Sequence, residues 1–345
     1  MAVEADKRRT NKGLAGITPW ITAAAVQHPR DLAAHLVQRL ACSRRVAFSL
    51  LRQLVAAQWL VVAGGTPRKP VHAPGALRQV VRQYPLLGLQ EDLPWKRDFA
   101  PFFALPGEVR RMAQHAFTEL LNNAVDHSGG STVTVSLRQT PLHLQLLVSD
   151  DGCGLFERVA QSFAIDDPAL AMLELSKGKL TSQPERHSGH GLFFSARLAD
   201  VFDVHANRAG FQYRGWDAAS WHVTRAAPHT GTSVYMAIAL DTRRTLDSVL
   251  RAASSSGGYG FERTRVPLRL IGDGQALASR ADARRVASRL EGFQHAEIDF
   301  SGIDDVGHAF ADELFRVFRR LHPGVELAPV GMTPRVSAML QSVGA

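Results

Sequence analysis

The chain has 345 residues, 45% hydrophobic and 21% charged, ordinary proportions for globular protein and enough length for two or three domains. No apolar run reaches membrane-spanning length and no signal-peptide pattern opens the chain. Cys42 and Cys153 cannot build a disulfide framework, so a cytoplasmic protein without a membrane partner is expected.

The charge is uneven. Residues 1–80 hold twelve Lys/Arg against three acids, an excess of +9, while the whole chain carries +8. The basic character therefore belongs to the N-terminal segment, which suggests a polyanion partner for it. Residues 1–14 are polar and read as a disordered tail. Asp31 is placed to cap a helix over 32–40, with Leu32, Leu36 and Leu40 on one face. Ala41-Cys42 makes a turn, and Ser43 can cap a second helix over 44–58 with a stripe of Val46, Leu50, Leu51, Leu54 and Val55. A strand over 59–62 and a turn over 64–70 follow.

Helix, turn, helix and hairpin over 15–75 is the winged-helix layout. Arg44, Arg45, Ser49 and Arg52 on the second helix, with Arg68 and Lys69 at the hairpin tip, are the candidate DNA-binding residues. A helical docking domain with solvated arginines is the other reading. Residues 76–97, rich in Pro and without clear periodicity, read as a linker that packs on the next domain.

Three short blocks and a Gly-Thr pair come next in a fixed order. Glu119 and Asn123 are four apart on one face of a helix over 106–127, with Asp126 just beyond. A strand over 131–137 and another over 143–148 lead into Asp150-Asp151-Gly152-Cys153-Gly154. Ser188-Gly189-His190-Gly191-Leu192 opens a helix through Leu198, and Gly231-Thr232 closes the set among strands over 201–207, 221–225 and 232–240. A carboxylate able to orient a hydroxyl or water, an amide able to ligate a metal, an acid able to read a base edge and glycines that admit phosphate form a nucleotide site.

These blocks resemble the N, G1, G2 and G3 boxes of the GHKL ATPases over roughly residues 98–242. The resemblance implies an α/β sandwich, with a mixed sheet on one side and helices on the other. It also implies ATP and Mg²⁺ under a lid over 155–188. Asn123 then takes the Mg²⁺ position, and Glu119 that of the residue activating water or a protein hydroxyl. Histidine kinases usually carry Asn there, which tilts the reading toward an ATPase or serine kinase. Asp126 stands at a position that varies between branches. Asp150 takes the adenine contact above the Gly152–Gly154 turn, with Thr232 bonding the same Asp or its water. Ser188, Gly189, His190, Gly191 and Leu192 form the phosphate-side turn. Lys177 and Lys179 are the lid cations placed to meet triphosphate oxygens.

A Ser/Gly-rich stretch lies in a second expected linker, 243–262. Beyond it, strands over 266–270, 296–300 and 325–329 alternate with helices over 279–290, 310–321 and 334–342, a small βα domain over 263–345. Residues 297–314 resemble STAS-like domains found after GHKL modules. The loop that carries a phosphorylated serine in true STAS antagonists holds Gly307-His308-Ala309 here. His308 is thus the candidate phosphoacceptor, or a plain polar contact, with Ser301 a weaker candidate.

The fold class expected is multidomain α+β: winged helix-turn-helix, GHKL (Bergerat) sandwich, STAS-like domain. The favoured reading is an ATP-binding regulator that couples a GHKL switch to DNA binding and to a protein partner of the STAS-like domain, in transcription or stress signalling, with a homodimer expected. Two alternatives stand beside it: an anti-sigma-type serine or histidine kinase acting on its own or a partner's STAS-like domain, and a non-enzymatic ATP-liganded scaffold.

Overall fold

The computed structural model describes residues 14–181, 189–217, 221–255, 257–272 and 277–344. The expected tail therefore lies, apart from Leu14, outside the described residues.

The N-terminal part consists of α1 (Thr18–Gln27), α2 (Leu32–Leu40), α3 (Arg44–Ala56) and an antiparallel hairpin of β1 (Leu60–Thr66) and β2 (Lys69–Pro74). Ser43 caps α3 by accepting from the Val46 amide, 3.3 Å, as its place in the sequence predicts. Asp31 makes no cap bond; it faces His28 at 3.5 Å instead. Leu32, Leu36, Ala47, Leu51 and Leu54 close a core of their own with Trp59 and Leu60. Val46 is 46% exposed, so the buried stripe of α3 runs through Ala47 rather than Val46.

The segment expected as a linker over 76–97 is structured. Arg78–Pro85 forms β3, which pairs antiparallel with β4 (Thr132–Gln139) along its full length. A helical run through Asp92–Pro94, Trp95–Phe99 and Ala100–Phe102 then buries Trp95, Phe99 and Phe102 in the central core. The apolar residues of this stretch lack one period because they serve two element types in succession. The Thr22 hydroxyl on α1 accepts the Gln79 amide at 3.0 Å, and Ala23 of α1 belongs to the central core, so the N-terminal part is seated on the edge strand.

The central sheet has strand order β3-β4-β5-β7-β6, where β5 is His143–Asp150, β6 is Val201–Arg214 and β7 is Trp221–Ala239. All neighbouring pairs are antiparallel, so the sheet is not the mixed one the resemblance implies. The reason is topological: β5 and β6 point the same way, but β7 is inserted between them. Strands expected over 221–225 and 232–240 are one long strand hairpinned on β6. Val133, Val135 and Leu137 on β4 and Leu144, Leu146 and Val148 on β5 alternate inward. They meet α4 (Gly107–His127), which buries Val109, Met112, Ala116, Phe117, Leu120, Leu121 and Ala124. The β5–β6 crossover carries α5 (Leu155–Phe163), α6 (Pro168–Lys177) and α7 (Gly191–Leu198).

The second expected linker is also structured in part. Thr245 caps α8 (Leu246–Ala252) through a reciprocal bond with Ser248, and Phe261 is buried in the core. The C-terminal domain has a parallel sheet of order β10-β9-β8, with β8 Arg263–Pro267, β9 His295–Asp299 and β10 Glu326–Val330. Its longer helical stretches are α9 (Arg280–Ala287), the run His308–Ala311, Asp312–Phe318 and Arg319–Leu321, and α10 (Pro334–Ser342). One continuous apolar core spans the central and C-terminal parts.

Candidate functional site

Between α4, the β5 end, α5 and the α7 start lies a pocket of about 1050 Å³ including its open mouth. Glu119, Asn122, Asn123 and His127 line it from one face of α4, a stripe that helical spacing produces. Asp150, Gly154 and Thr232 line it from the sheet, and Gly189, His190, Gly191 and Leu192 from the last turn before α7 and its start. Nine residues named from sequence thus converge on one cavity. Gly152 sits beneath them, its amide donating to Asp150 Oδ1 at 2.9 Å. Ser188 lies outside the described residues, and Asp126 is not among the residues lining the pocket.

Asp150 is the electrostatic centre. It is 8% exposed, and its Oδ1 also accepts the Thr232 amide at 3.2 Å. Burial raises its carboxyl above the ordinary value, against the pull of those two amides. Its neighbour Asp151 faces the other way. It accepts the amides and hydroxyls of Ser131 and Thr132 at 2.6–2.9 Å, which hold its carboxyl well below the usual range and tie the β5 end to the start of β4.

Gly191 lies against Glu119. A methyl group there would stand 2.5 Å from Glu119 Oε2, so a residue larger than glycine would push the carboxylate aside. His190 packs at a tilt against Phe261, ring centroids 4.0 Å apart, and burial, with Lys179 adding, holds its imidazole down to about 4. It is therefore neutral near pH 7.

The two lid lysines do not line the pocket. Lys177 Nζ is buried and donates to Glu174 Oε1 at 2.6 Å and to the carbonyls of Val286 and Ser288 at 3.0 and 2.7 Å. Its backbone carbonyl accepts the Thr264 hydroxyl at 2.9 Å. Lys179 Nζ donates to the Gly292 carbonyl and lies 4.3 Å from the Phe293 ring centroid. Arg289 reaches back to Glu174 at 3.2 Å. These cations belong to the contact with the C-terminal domain, whose carbonyls and acid-paired arginine outcompete an expected role in the pocket.

Sequence reasoning missed Asn122, His127 and Arg158 as pocket residues. Asn122 and His127 follow from the stripe through Glu119. Arg158 Nε donates to the His127 carbonyl at 2.7 Å, and no local pattern marks it. His308 is exposed at the first turn of its helix and is not among the lining residues. Arg44, Arg45 and Arg52 are exposed on α3 with Ser49 half-buried, and Arg68 and Lys69 are exposed where β1 turns into β2.

The donor set fits a nucleotide with its metal. Among the described residues no three His, Cys, Asp or Glu side chains cluster, so protein ligands alone form no metal cage. Magnesium ordinarily takes one or two protein oxygens and completes its shell with phosphates and water. No described helix is long and apolar enough to cross a membrane.

Comparison with known proteins agrees for two segments. Residues 108–242 match the family model for histidine kinase-, DNA gyrase B- and HSP90-like ATPases, and residues 282–336 match that of a STAS-like domain of unknown function. No curated protein matches the chain. The chain thus carries a GHKL ATPase domain, which implies ATP binding, followed by a STAS-like domain.

Proposed function

We propose that the chain is an ATP-operated regulator in which nucleotide in the pocket sets the lid and the lid positions the STAS-like domain. The observation that carries this reading is the buried Lys177 ammonium. It ends the lid helix α6 and is held by carbonyls of the C-terminal domain. Movement of α6 is then movement of that domain, or rupture of a buried charged contact.

Within the pocket, Asp150 uses Oδ1 for two backbone amides, which leaves Oδ2 to accept from the adenine amine. The amides that open α7 take phosphate oxygens. Asn123 ligates Mg²⁺ through its amide oxygen, and Glu119 orients the attacking water or hydroxyl. Bound ATP supplies a transferable phosphoryl group, and hydrolysis is the reaction this carboxylate supports best.

The N-terminal part is the DNA-binding output in this proposal, acting in transcription or stress signalling. Its support is exposed Arg44, Arg45 and Arg52 on α3, with Arg68 and Lys69 on the hairpin, placed to meet phosphates. Two copies would present two such surfaces to a half-site pair.

Hydrogen exchange of the full chain with ATP, ADP or no nucleotide tests the coupling. ATP is expected to change exchange both in α6 and across 286–293, and Asn123→Ala to abolish both changes. A change confined to α6 would sink the coupling.

A further inference from the structure

A second cavity lies where the ATPase domain meets the C-terminal domain, lined by Arg197, Tyr213, Trp221, Arg265, Pro267 and Asp299. Its volume is about 120 Å³. An enclosed cavity of about 150 Å³ holds a benzene ring; this one is smaller but open, so it admits no more than a single ring with its substituent toward the open side. Tyr213 and Trp221 are cross-strand partners on the β6–β7 hairpin, with ring centroids 5.4 Å apart, and form an aromatic wall. Pro267 and Asp299 end the parallel strands β8 and β9.

Arg197 supplies the charge. It lies in the last turn of α7 with its guanidinium 3.3 Å from the Phe193 ring centroid. Among the described residues its hydrogen-bond partner is the Phe193 carbonyl, 3.2 Å away on its own helix. A guanidinium has five donors, so most of its capacity is unused by protein. The acids nearby are committed elsewhere. Asp299 accepts Arg265 Nε and Nη2 through Oδ2 at 3.0 and 2.9 Å and the Ser301 amide through Oδ1 at 3.0 Å. Glu297 faces Arg265 in strand register and attracts Arg197 only at longer range. Burial, with Arg265 adding, holds the Arg197 guanidinium down to about 10, still charged at neutral pH. A largely buried cation with spare planar donors beside an aromatic wall is matched by a flat carboxylate.

We propose that this cavity binds a small aromatic monocarboxylate, its carboxylate on Arg197 with Arg265 at the rim and its ring against Tyr213 and Trp221.

The test is calorimetric titration of the full chain with benzoate, with its neutral isostere benzamide, and with inorganic phosphate. Saturable one-to-one benzoate binding is expected, at least tenfold tighter than benzamide or phosphate. Arg197→Gln should weaken benzoate at least tenfold while ADP affinity stays within threefold of wild type, which also reports the fold. Tyr213→Leu, which removes the half-buried ring beside Trp221 and leaves every ion pair in place, should weaken benzoate about threefold and keeps the test decisive should Arg197→Gln not fold. No saturable benzoate binding, equal benzoate and benzamide affinities, or undiminished benzoate binding in both variants would overturn the proposal.

Discussion

Lys177 Nζ stands 2.7 Å from the Ser288 carbonyl, 111 residues away in the chain, with Glu174 Oε1 at 2.6 Å on its other side. Burial pulls the ammonium's pKa down from its ordinary value, and Glu174 pulls against that. A methionine at 177 would leave Glu174 buried with Arg289 alone. Lys177→Met is therefore expected to cost about 3 kcal/mol, since removing one partner strands the other. Urea unfolding of the whole chain measures this. Adding Glu174→Leu should recover most of the loss, and a double variant no better than the single would refute the pairing.

Asp150 gives a pH prediction with a definite sign. Burial raises its folded pKa above the ordinary 3.8, so ionisation costs the folded state more than the unfolded state. Below the unfolded value both states hold the proton and the penalty is absent. It grows as pH rises past the unfolded value and is complete above the folded pKa. Asp150→Asn should thus melt higher than wild type at pH 7, with the gap closing in acid, while ATP affinity falls at least tenfold. A variant that melts lower at pH 7 and equally low in acid would contradict this.

Glu119→Gln is expected to cut phosphate release from ATP at least a hundredfold with ATP affinity within threefold, the size of effect a positioned base supplies. Gly191→Ala should act in the same direction, because its methyl displaces the carboxylate. With γ-labelled ATP, free phosphate without label on the chain is the expected product. Label retained on protein would favour phosphoryl transfer, with His308 or a serine as acceptor.

The basic surface predicts a salt signature. Each phosphate contact contributes a slope of about 0.9 in log affinity against log salt for duplex DNA. Replacing Arg44, Arg45 and Arg52 by alanine should lower the measured slope by two to three contacts' worth, and Arg68 with Lys69 by up to two. Unchanged slopes would leave the N-terminal helices as a docking surface.

How much of this was legible in sequence follows from distance along the chain. Glu119, Asn123, Asp150 and the 189–192 turn could be read because each block holds its geometry within a few residues. The role of Lys177 could not, because its partners Val286 and Ser288 lie in another domain. A lysine in a lid looks the same whether it meets a phosphate or a carbonyl. The strand at 78–85 escaped for a similar reason. Its pairing partner begins some fifty residues on, and only Val80 and Tyr84 are buried along it. Arg158 depends on a carbonyl 31 residues earlier and had no signal at all.

The pairing of β3 with β4 bears on where the ATPase unit can be cut. The family match begins at residue 108, yet Val80 and Tyr84 pack in the same core as Val133, Val135 and Leu137. A fragment trimmed to that boundary would leave β4 with a bare row of amides and carbonyls beside an apolar face, a template for strand addition between molecules. The strand that completes this sheet edge thus lies before the matched segment, and a fragment that keeps the edge paired begins at or before Arg78.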